Sequence, residues 1–334
     1  MQIVMITLGS VKLDGRAVLA PMSGVTDHAM RRIARRFGAS LVISEMVASD
    51  SFVKGDEETR LRAEGTGIDP HIVQLAGRDP YWMAEAARLA EASGAAIIDI
   101  NMGCPAKKVT GGYAGSALMR DLDLALKLVE ATIAAVKIPV TVKMRLGWDE
   151  TSLNAPELAR RCEQSGVKMV TVHGRTRCQF YKGAADWDAI ARVKQSVGIP
   201  VIANGDCGSL ETAREIMARS GADGVMIGRA AMGQPWLVGM IASGLRDQPV
   251  QLPSLQQRRD AALDHYQSLL SMLGVEAGVR HARKHLAAYA GIRIKEGETL
   301  SPKEREILVT THCEKIVISL LEKLFHPSEL RSAA

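Results

Sequence analysis

Cys104 sits between Gly103 and Pro105 in the run Asn101-Met102-Gly103-Cys104-Pro105, directly after the apolar stretch Ala95 to Ile100. A cysteine so placed at a strand end is not a helical core residue. It is either a thiol buried in a tight turn, as most lone cysteines are, or a reactive group held out by a short constrained loop. Other groups able to do chemistry stand at equivalent places. Gln74, Asn101, Lys143, His173, Asn204 and Gly228-Arg229 each close, or directly follow, a short β-rich apolar run. Together they offer an amide, an ammonium, an imidazole and glycine-rich turns. A lysine ending a buried strand needs an anionic or electron-rich partner. A flavin would supply one, because a cation near its N1 stabilises the reduced anionic ring. Gln74 can donate and accept at a pyrimidine edge. A thiol with a reference pKa of about 8.5 is protonated at neutral pH and can give a proton to a carbon made basic by hydride addition. No Ser-His-Asp pattern, no metal-ligand spacing and no competing carboxylate pair is evident, so no metal is expected.

The elements that must position these groups are legible as a repeat. Apolar runs at 17–20, 41–44, 71–75, 96–100, 140–144, 169–173, 201–204 and 224–227 alternate with segments of helical periodicity. Eight such alternations predict an α/β fold, a (β/α)8 TIM barrel, with a doubly wound open sheet as the alternative. In a barrel the C-terminal strand ends face one mouth, where the βα loops build the site. Asn204-Gly205-Asp206-Cys207-Gly208 and Gly228-Arg229-Ala230-Ala231-Met232-Gly233 follow the last two strands, where barrels of this type bind phosphate. Neither a dinucleotide-binding G-x-G-x-x-G nor a P-loop occurs. Asp79-Pro80 reads as a helix start, and Ser93-Gly94 and Ser220-Gly221 as stops.

Bulk properties narrow the class. The 334 residues are 47% hydrophobic with a net charge of +5, ordinary for a globular protein and weakly suggestive of a polyanionic partner. No apolar run reaches the roughly 18 residues a membrane span needs. Met1 to Thr7 lacks the features of a secretory leader. Five cysteines without C-x-x-C spacing suit a reducing cytoplasm. The organisation expected is a catalytic barrel over residues 1–246, a linker over 247–253 (Asp247 to Pro253) and a helical domain over 254–334. Capping boxes at Ser254/Gln257 and Ser301/Glu304 open helices at about 255–273 and 302–324. Between them a helix over about 276–290 carries Arg280, His281, Arg283, Lys284 and His285. Its basic residues form either a solvated face or phosphate contacts to a nucleic acid.

Ala20-Pro21-Met22-Ser23-Gly24-Val25-Thr26-Asp27, Ile100 to Pro105, Val142 to Gly147, Val172 to Arg177, Ile202 to Asp206 and Met226 to Ala230 follow one another in order. With Arg283-Lys284-His285 they resemble the tRNA-dihydrouridine synthase family over nearly the whole chain, closest to its bacterial branch that includes nitrogen-regulation homologues. The resemblance implies an FMN-bound barrel with a helical domain gripping tRNA, and NADPH as reductant. A hydride would pass from flavin N5 to C6 of a D-loop uridine, and Cys104 would protonate C5. By the same resemblance Pro21, Met22 and Ser23 line the flavin, Gln74 and Lys143 hold its pyrimidine edge, and His173 sits near the ring. Asn204, Gly205, Asp206, Gly228 and Arg229 would bind its phosphate. Asn101 would help position the uracil, Arg145 and Arg175 would contact flavin or RNA substrate, and Arg283 and Lys284 would contact the tRNA. Ser23 stands where the family usually has alanine. The target base must be flipped to reach a barrel mouth. A monomer in the cytoplasm is expected. Two other functions compete: a flavin dehydrogenase of a free pyrimidine, of the dihydroorotate type, and a non-catalytic RNA-binding regulator.

Overall fold

The computed structural model describes residues 6–297 and 300–326. The first five residues of the stretch read for a leader, and residues 327–334 at the expected end of the helical domain, lie outside them. A small antiparallel hairpin, β1 (Thr7–Leu8) with β2 (Val11–Lys12), precedes the main sheet. The sheet is parallel throughout: β3 (Ala17–Leu19), β4 (Leu41–Val42), β5 (Met46–Ala48), β6 (Ile72–Ala76), β7 (Ile97–Met102), β8 (Val140–Arg145), β9 (Met169–His173), β10 (Val201–Asn204) and β11 (Gly224–Ile227). Its order, β4-β3-β11-β10-β9-β8-β7-β6-β5, is that of a barrel whose second stave is broken in two. The break at Ile43 to Glu45 is bridged. Ser44 donates its backbone N–H to Ile72 O at 3.1 Å, and its hydroxyl accepts the Gln74 N–H at 2.9 Å. The expected eight staves are therefore present, the second as β4 plus β5 rather than one run to Ser44.

Outside the staves lie α1 (His28–Arg36), α2 (Ser49–Val53), α3 (Glu57–Ala63), α4 (Pro80–Ala92), α5 (Lys107–Thr110), α6 (Leu122–Ala135), α7 (Ala155–Ser165), α8 (Trp187–Ser196), α9 (Leu210–Ser220) and α10 (Leu237–Gly244). Their starts follow sequence chemistry. Asp79 caps α4 ahead of Pro80, and Gly221 ends α9 in the left-handed conformation at φ 64°. Strand residues alternate between two environments, as the period of two requires. Val73, Leu75, Ile98, Ile100, Val142, Val170 and Val172 face the helices. Val18, Ile72, Ile97, Met169, Ile202 and Met226 fill the closed end of the barrel with Ile6, Leu8 and Leu13. Above that apolar floor the inward positions turn polar.

Beyond Asp247 to Pro253, which holds neither helix nor strand, α11 (Leu255–Leu273), α12 (Val275–Lys295), α13 (Pro302–Thr310) and α14 (Glu314–Leu324) form a bundle. Both capping boxes are present at the starts of α11 and α13, but the helix expected over 302–324 is two, because Thr311 turns extended after Thr310 and a new helix starts at Glu314. The middle helix runs five residues past the expected end at Ala290, because Ile294 and the buried Arg293 continue its inward face. The bundle core takes in Ile33 of α1 and Trp236, so it is continuous with the barrel. At Gly233 (φ 73°) the contact is backbone to backbone: a Cβ there would stand 2.4 Å from the Ala288 carbonyl of α12. Lys284 Nζ of the same helix lies 3.1 Å from where a Gly24 Cβ would be. The bundle thus docks on the loops after β11 and β3, neighbouring staves on one side of the mouth. Among the described residues no helix is long and apolar enough to cross a membrane.

Candidate active site

The inward positions of β6 to β10 turn polar in three steps. Gln74, Asp99 and Thr141 lie level, then Asn101, Lys143 and Thr171, then Arg145, His173 and Asn204. Register sets them side by side: Gln74 opposite Asp99, Asp99 opposite Thr141, Asn101 opposite Lys143, His173 opposite Asn204.

A chain of hydrogen bonds runs through these layers to the cysteine. The Asn101 side-chain oxygen accepts the backbone N–H groups of Gly103 (3.1 Å) and Cys104 (3.0 Å). Its amide nitrogen must then donate, which it does to Gln74 Oε1 at 2.7 Å. Gln74 in turn donates Nε2–H to Asp99 Oδ2 at 2.7 Å, and Thr141 donates to Asp99 Oδ1 at 2.6 Å. Backbone donors at one end and a carboxylate at the other fix both amide orientations. On its far side Cys104 is pinned by Ser116, whose N–H and hydroxyl both donate to its carbonyl. Gly115 (φ 60°) is pressed so close that a Cβ would meet that carbonyl at 2.9 Å. The glycine-rich run is thus anchored at its end, while its tip, Tyr113, is 62% exposed. Cys104 itself is half-buried at the mouth.

Lys143 is buried, and Nζ donates to Asn204 Oδ1 at 3.1 Å. Burial, then the neighbouring Arg145, pushes its ammonium down to about 8. Burial of Asp99 raises its carboxyl, against the hydrogen bonds from Gln74 and Thr141. His173 is pushed down to about 2 by burial and by Lys143, Arg145, Arg175 and Arg229, so its imidazole is neutral. Its Nε2 lies 3.3 Å from Arg175 Nη1.

The arginines divide by exposure. Arg145 is buried and donates to the carbonyls of Gly103, Thr176 and Phe180. Arg175 is buried and donates to Lys182 O, Gly183 O and Asp206 Oδ2. Both therefore hold the loop over residues 176–184 to the barrel. Arg229 is 61% exposed, 3.5 Å from Asp206 Oδ1, with Tyr181 under its guanidinium at 5.1 Å. Asp206, left-handed at φ 58°, sends its carboxylate to these arginines; a carboxylate repels phosphate, so its part in a cradle is to hold the cations. Gly205 (φ 125°) has no room for a side chain, since a Cβ would meet Ala185 at 2.6 Å. Pro21 and Met22 are half-buried and Ser23 exposed on the loop after β3; Gly228, after β11, lies within 3.7 Å of Met22 Sδ at its would-be Cβ. Arg283 and Lys284 lie on α12, away from Cys104. Lys284 reaches the β3 loop, where burial lowers its ammonium against the pull of Glu45 and Asp27, and Arg283 Nη2 is 3.4 Å from His312 Nε2.

Asp99 and Tyr181 were missed in the sequence. Asp99 interrupts an apolar run at an inward position, which was the available signal. Tyr181 lies in a loop and carried none.

Residues 18–316 match the family model described as dihydrouridine synthase. The chain belongs to the dihydrouridine synthase family. A probable tRNA-dihydrouridine synthase of Rhizobium leguminosarum bv. phaseoli is 57% identical over 279 residues, spanning 84% of this chain and 86% of the relative. tRNA-dihydrouridine synthase B of Pseudomonas aeruginosa is 46% identical over 286 residues, 85% of this chain and 86% of that one. Among solved structures, the old yellow enzyme homologue from Zymomonas mobilis superposes with a TM-score of 0.52 at 15% identity, covering 77% of this chain and 95% of that chain. That likeness supports the barrel. In this dihydrouridine synthase family member the mouth also suits a flavin. Lys143 is a buried ammonium with one hydrogen bond among the described residues, leaving N–H groups to meet an electron-rich ring edge.

Proposed function

We propose that this dihydrouridine synthase family member is a flavin-dependent enzyme reducing the C5–C6 double bond of a D-loop uridine in tRNA, with FMN as the flavin and NADPH as the reductant. When bound, the flavin supplies the hydride. The protein's own residues do the rest. Lys143 offers an ammonium to the pyrimidine edge of the ring. Gln74 has its carbonyl and one N–H spent within the barrel wall, which leaves its second N–H for the same edge. Neutral His173 can lie by the ring without adding charge. Pro21, Met22 and Ser23 line the ring. Gly205, Gly228 and the exposed Arg229 suit its phosphate, with Asn204 orienting Lys143 and Asp206 orienting Arg229. Cys104 holds the proton that goes to uridine C5, and Asn101 sets its loop.

The observation that carries the reading is the half-buried Cys104, fixed from both sides and close to Lys143 and Arg145, in a chain of this family. Arg283 and Lys284 fit a role toward RNA backbone. Arg145 and Arg175, with donors spent on loop carbonyls, act on substrate through the 176–184 loop they hold. The proposal extends to a barrel over 1–246, a linker over 247–253, a tRNA-gripping bundle from 254, and work as a monomer in the cytoplasm.

The test is to incubate the purified holoprotein with NADPH and tRNA lacking dihydrouridine, then digest and weigh the nucleosides. Dihydrouridine at a D-loop position is expected. Reduction of free uracil or orotate with none in tRNA would overturn the proposal in favour of a free-pyrimidine dehydrogenase.

A further inference from the structure

At the seam between barrel and bundle, on one side of the mouth, Asp27 is surrounded by imidazoles. It caps α1 through Oδ1, which accepts the Met30 N–H at 3.0 Å. Its other oxygen, Oδ2, lies 3.2 Å from His265 Nε2 on α11, and 3.2 and 3.7 Å from His285 Nε2 and His281 Nε2 on α12. The three contacts differ in kind. His265 makes a hydrogen bond to Asp27, with its other nitrogen 3.1 Å from the Tyr289 hydroxyl. His281 and His285 do not: neither Nε2 lines up on a hydrogen-bond partner, although His285 has a side chain only 3% exposed. A buried ring nitrogen that faces a carboxylate off hydrogen-bond geometry is poorly satisfied.

We infer that Asp27, His281 and His285 form a divalent transition-metal site tying the barrel to the bundle. The two histidines are four apart on one helix, the spacing that puts two imidazoles on one face toward a single ion. Oδ2 and the two Nε2 atoms all lie within 4.8 Å of one another. Zinc bonds of about 2.0–2.1 Å put tetrahedral ligand atoms roughly 3.3 Å apart, close to the 3.2 and 3.7 Å from Asp27 Oδ2 to the two histidines. Imidazole and carboxylate are ligands that zinc takes. His265 then serves as the outer partner: it orients the carboxylate, and the Tyr289 hydroxyl fixes its tautomer. His281, 23% exposed, stands at the open side, where an ion can enter and a water complete the coordination. Sequence spacing did not announce the site, because its carboxylate comes from residue 27, on the other side of the seam.

The experiment uses tag-free full-length holoprotein, stripped with a chelator, dialysed against zinc chloride and then against zinc-free buffer. Metal analysis is expected to find about one zinc per chain, and added zinc is expected to raise the Tm. His281→Ala, which removes a partly exposed side chain, should fold yet retain no zinc and show no zinc-dependent Tm. Tyr289→Phe should weaken zinc binding roughly 10–100-fold. Wild-type protein that retains no zinc, with a Tm indifferent to zinc and chelator, would overturn the inference. So would zinc retained equally by His281→Ala.

Discussion

A carboxylate that never touches Cys104 fixes where it stands. Asp99 orients Gln74, Gln74 orients Asn101, and Asn101 holds the Cys104 backbone. Asn101→Ala would strand the buried Gln74 carbonyl and two backbone N–H groups, costing roughly 1–3 kcal/mol of stability, measurable by denaturant unfolding. It should also slow tRNA reduction more than it slows flavin reduction by NADPH. Cys104→Ala should leave flavin reduction intact and cut dihydrouridine formation by roughly 10²–10⁴-fold in single-turnover assays; an active variant would remove the proton-donor role. Lys143 gives a pH signature. Its ammonium, pushed down to about 8 in the free protein, is raised when an electron-rich ligand binds, so binding favours the protonated form. FMN affinity should be full below about 8 and fall as pH rises through that value, with Lys143→Gln removing the fall in a flavin titration of the apoprotein. The reactive residues were legible because each stands at a strand end. Their wiring was not: Asp99 lies in a run that reads as plain core, and only register brings it opposite Gln74 and Thr141.

Secondary-structure elements carried more of their fate in the sequence. Alternating runs and caps predicted the staves, and all eight are there, but the second is split because the chain kinks at Ile43 to Glu45, where Ser44 bonds to β6 through both backbone and side chain. Loops were the least legible. Arg145 and Arg175 sit in motifs that suggest contact with a ligand, yet each donates to several carbonyls of the 176–184 loop. Nothing local in sequence distinguishes an arginine that reaches a ligand from one that staples a loop; the difference is in what packs above it. On α12, helical spacing put Arg280, Arg283 and Lys284 on one face, and the docked barrel separates them: Arg280 pairs with Glu276 at the surface while Lys284 turns to the β3 loop. Replacing Arg283 and Lys284 by alanine should weaken tRNA binding across sequences and lower the slope of log affinity against log salt by about one for each phosphate left without its cation. An unchanged slope in a filter-binding series would move the RNA surface elsewhere.

At the scale of the molecule, the bundle and Cys104 occupy opposite rims. β7, which carries the Cys104 loop, is the fourth stave, and the docking loops follow the eighth and the first. An RNA gripped at α12, as proposed, would therefore lie across the mouth before a base entered it, the arrangement a flipped nucleotide needs. The net charge of +5 favours the same polyanion. How the two parts meet was not legible, because the seam is made by residues distant in sequence: Ile33, Trp236 and Tyr289 share one core, and Asp27 meets the α12 histidines. A further contact of the seam depends on a glycine having no Cβ. Since Gly233 rests on the α12 backbone with no space for a methyl group, Gly233→Ala would act as a wedge. It would prise the bundle off its seat while leaving Cys104 and Lys143, on staves across the barrel, as they are. The wedged protein should still reduce its flavin with NADPH yet lose its hold on tRNA, uncoupling the two halves of the catalytic cycle with a single carbon.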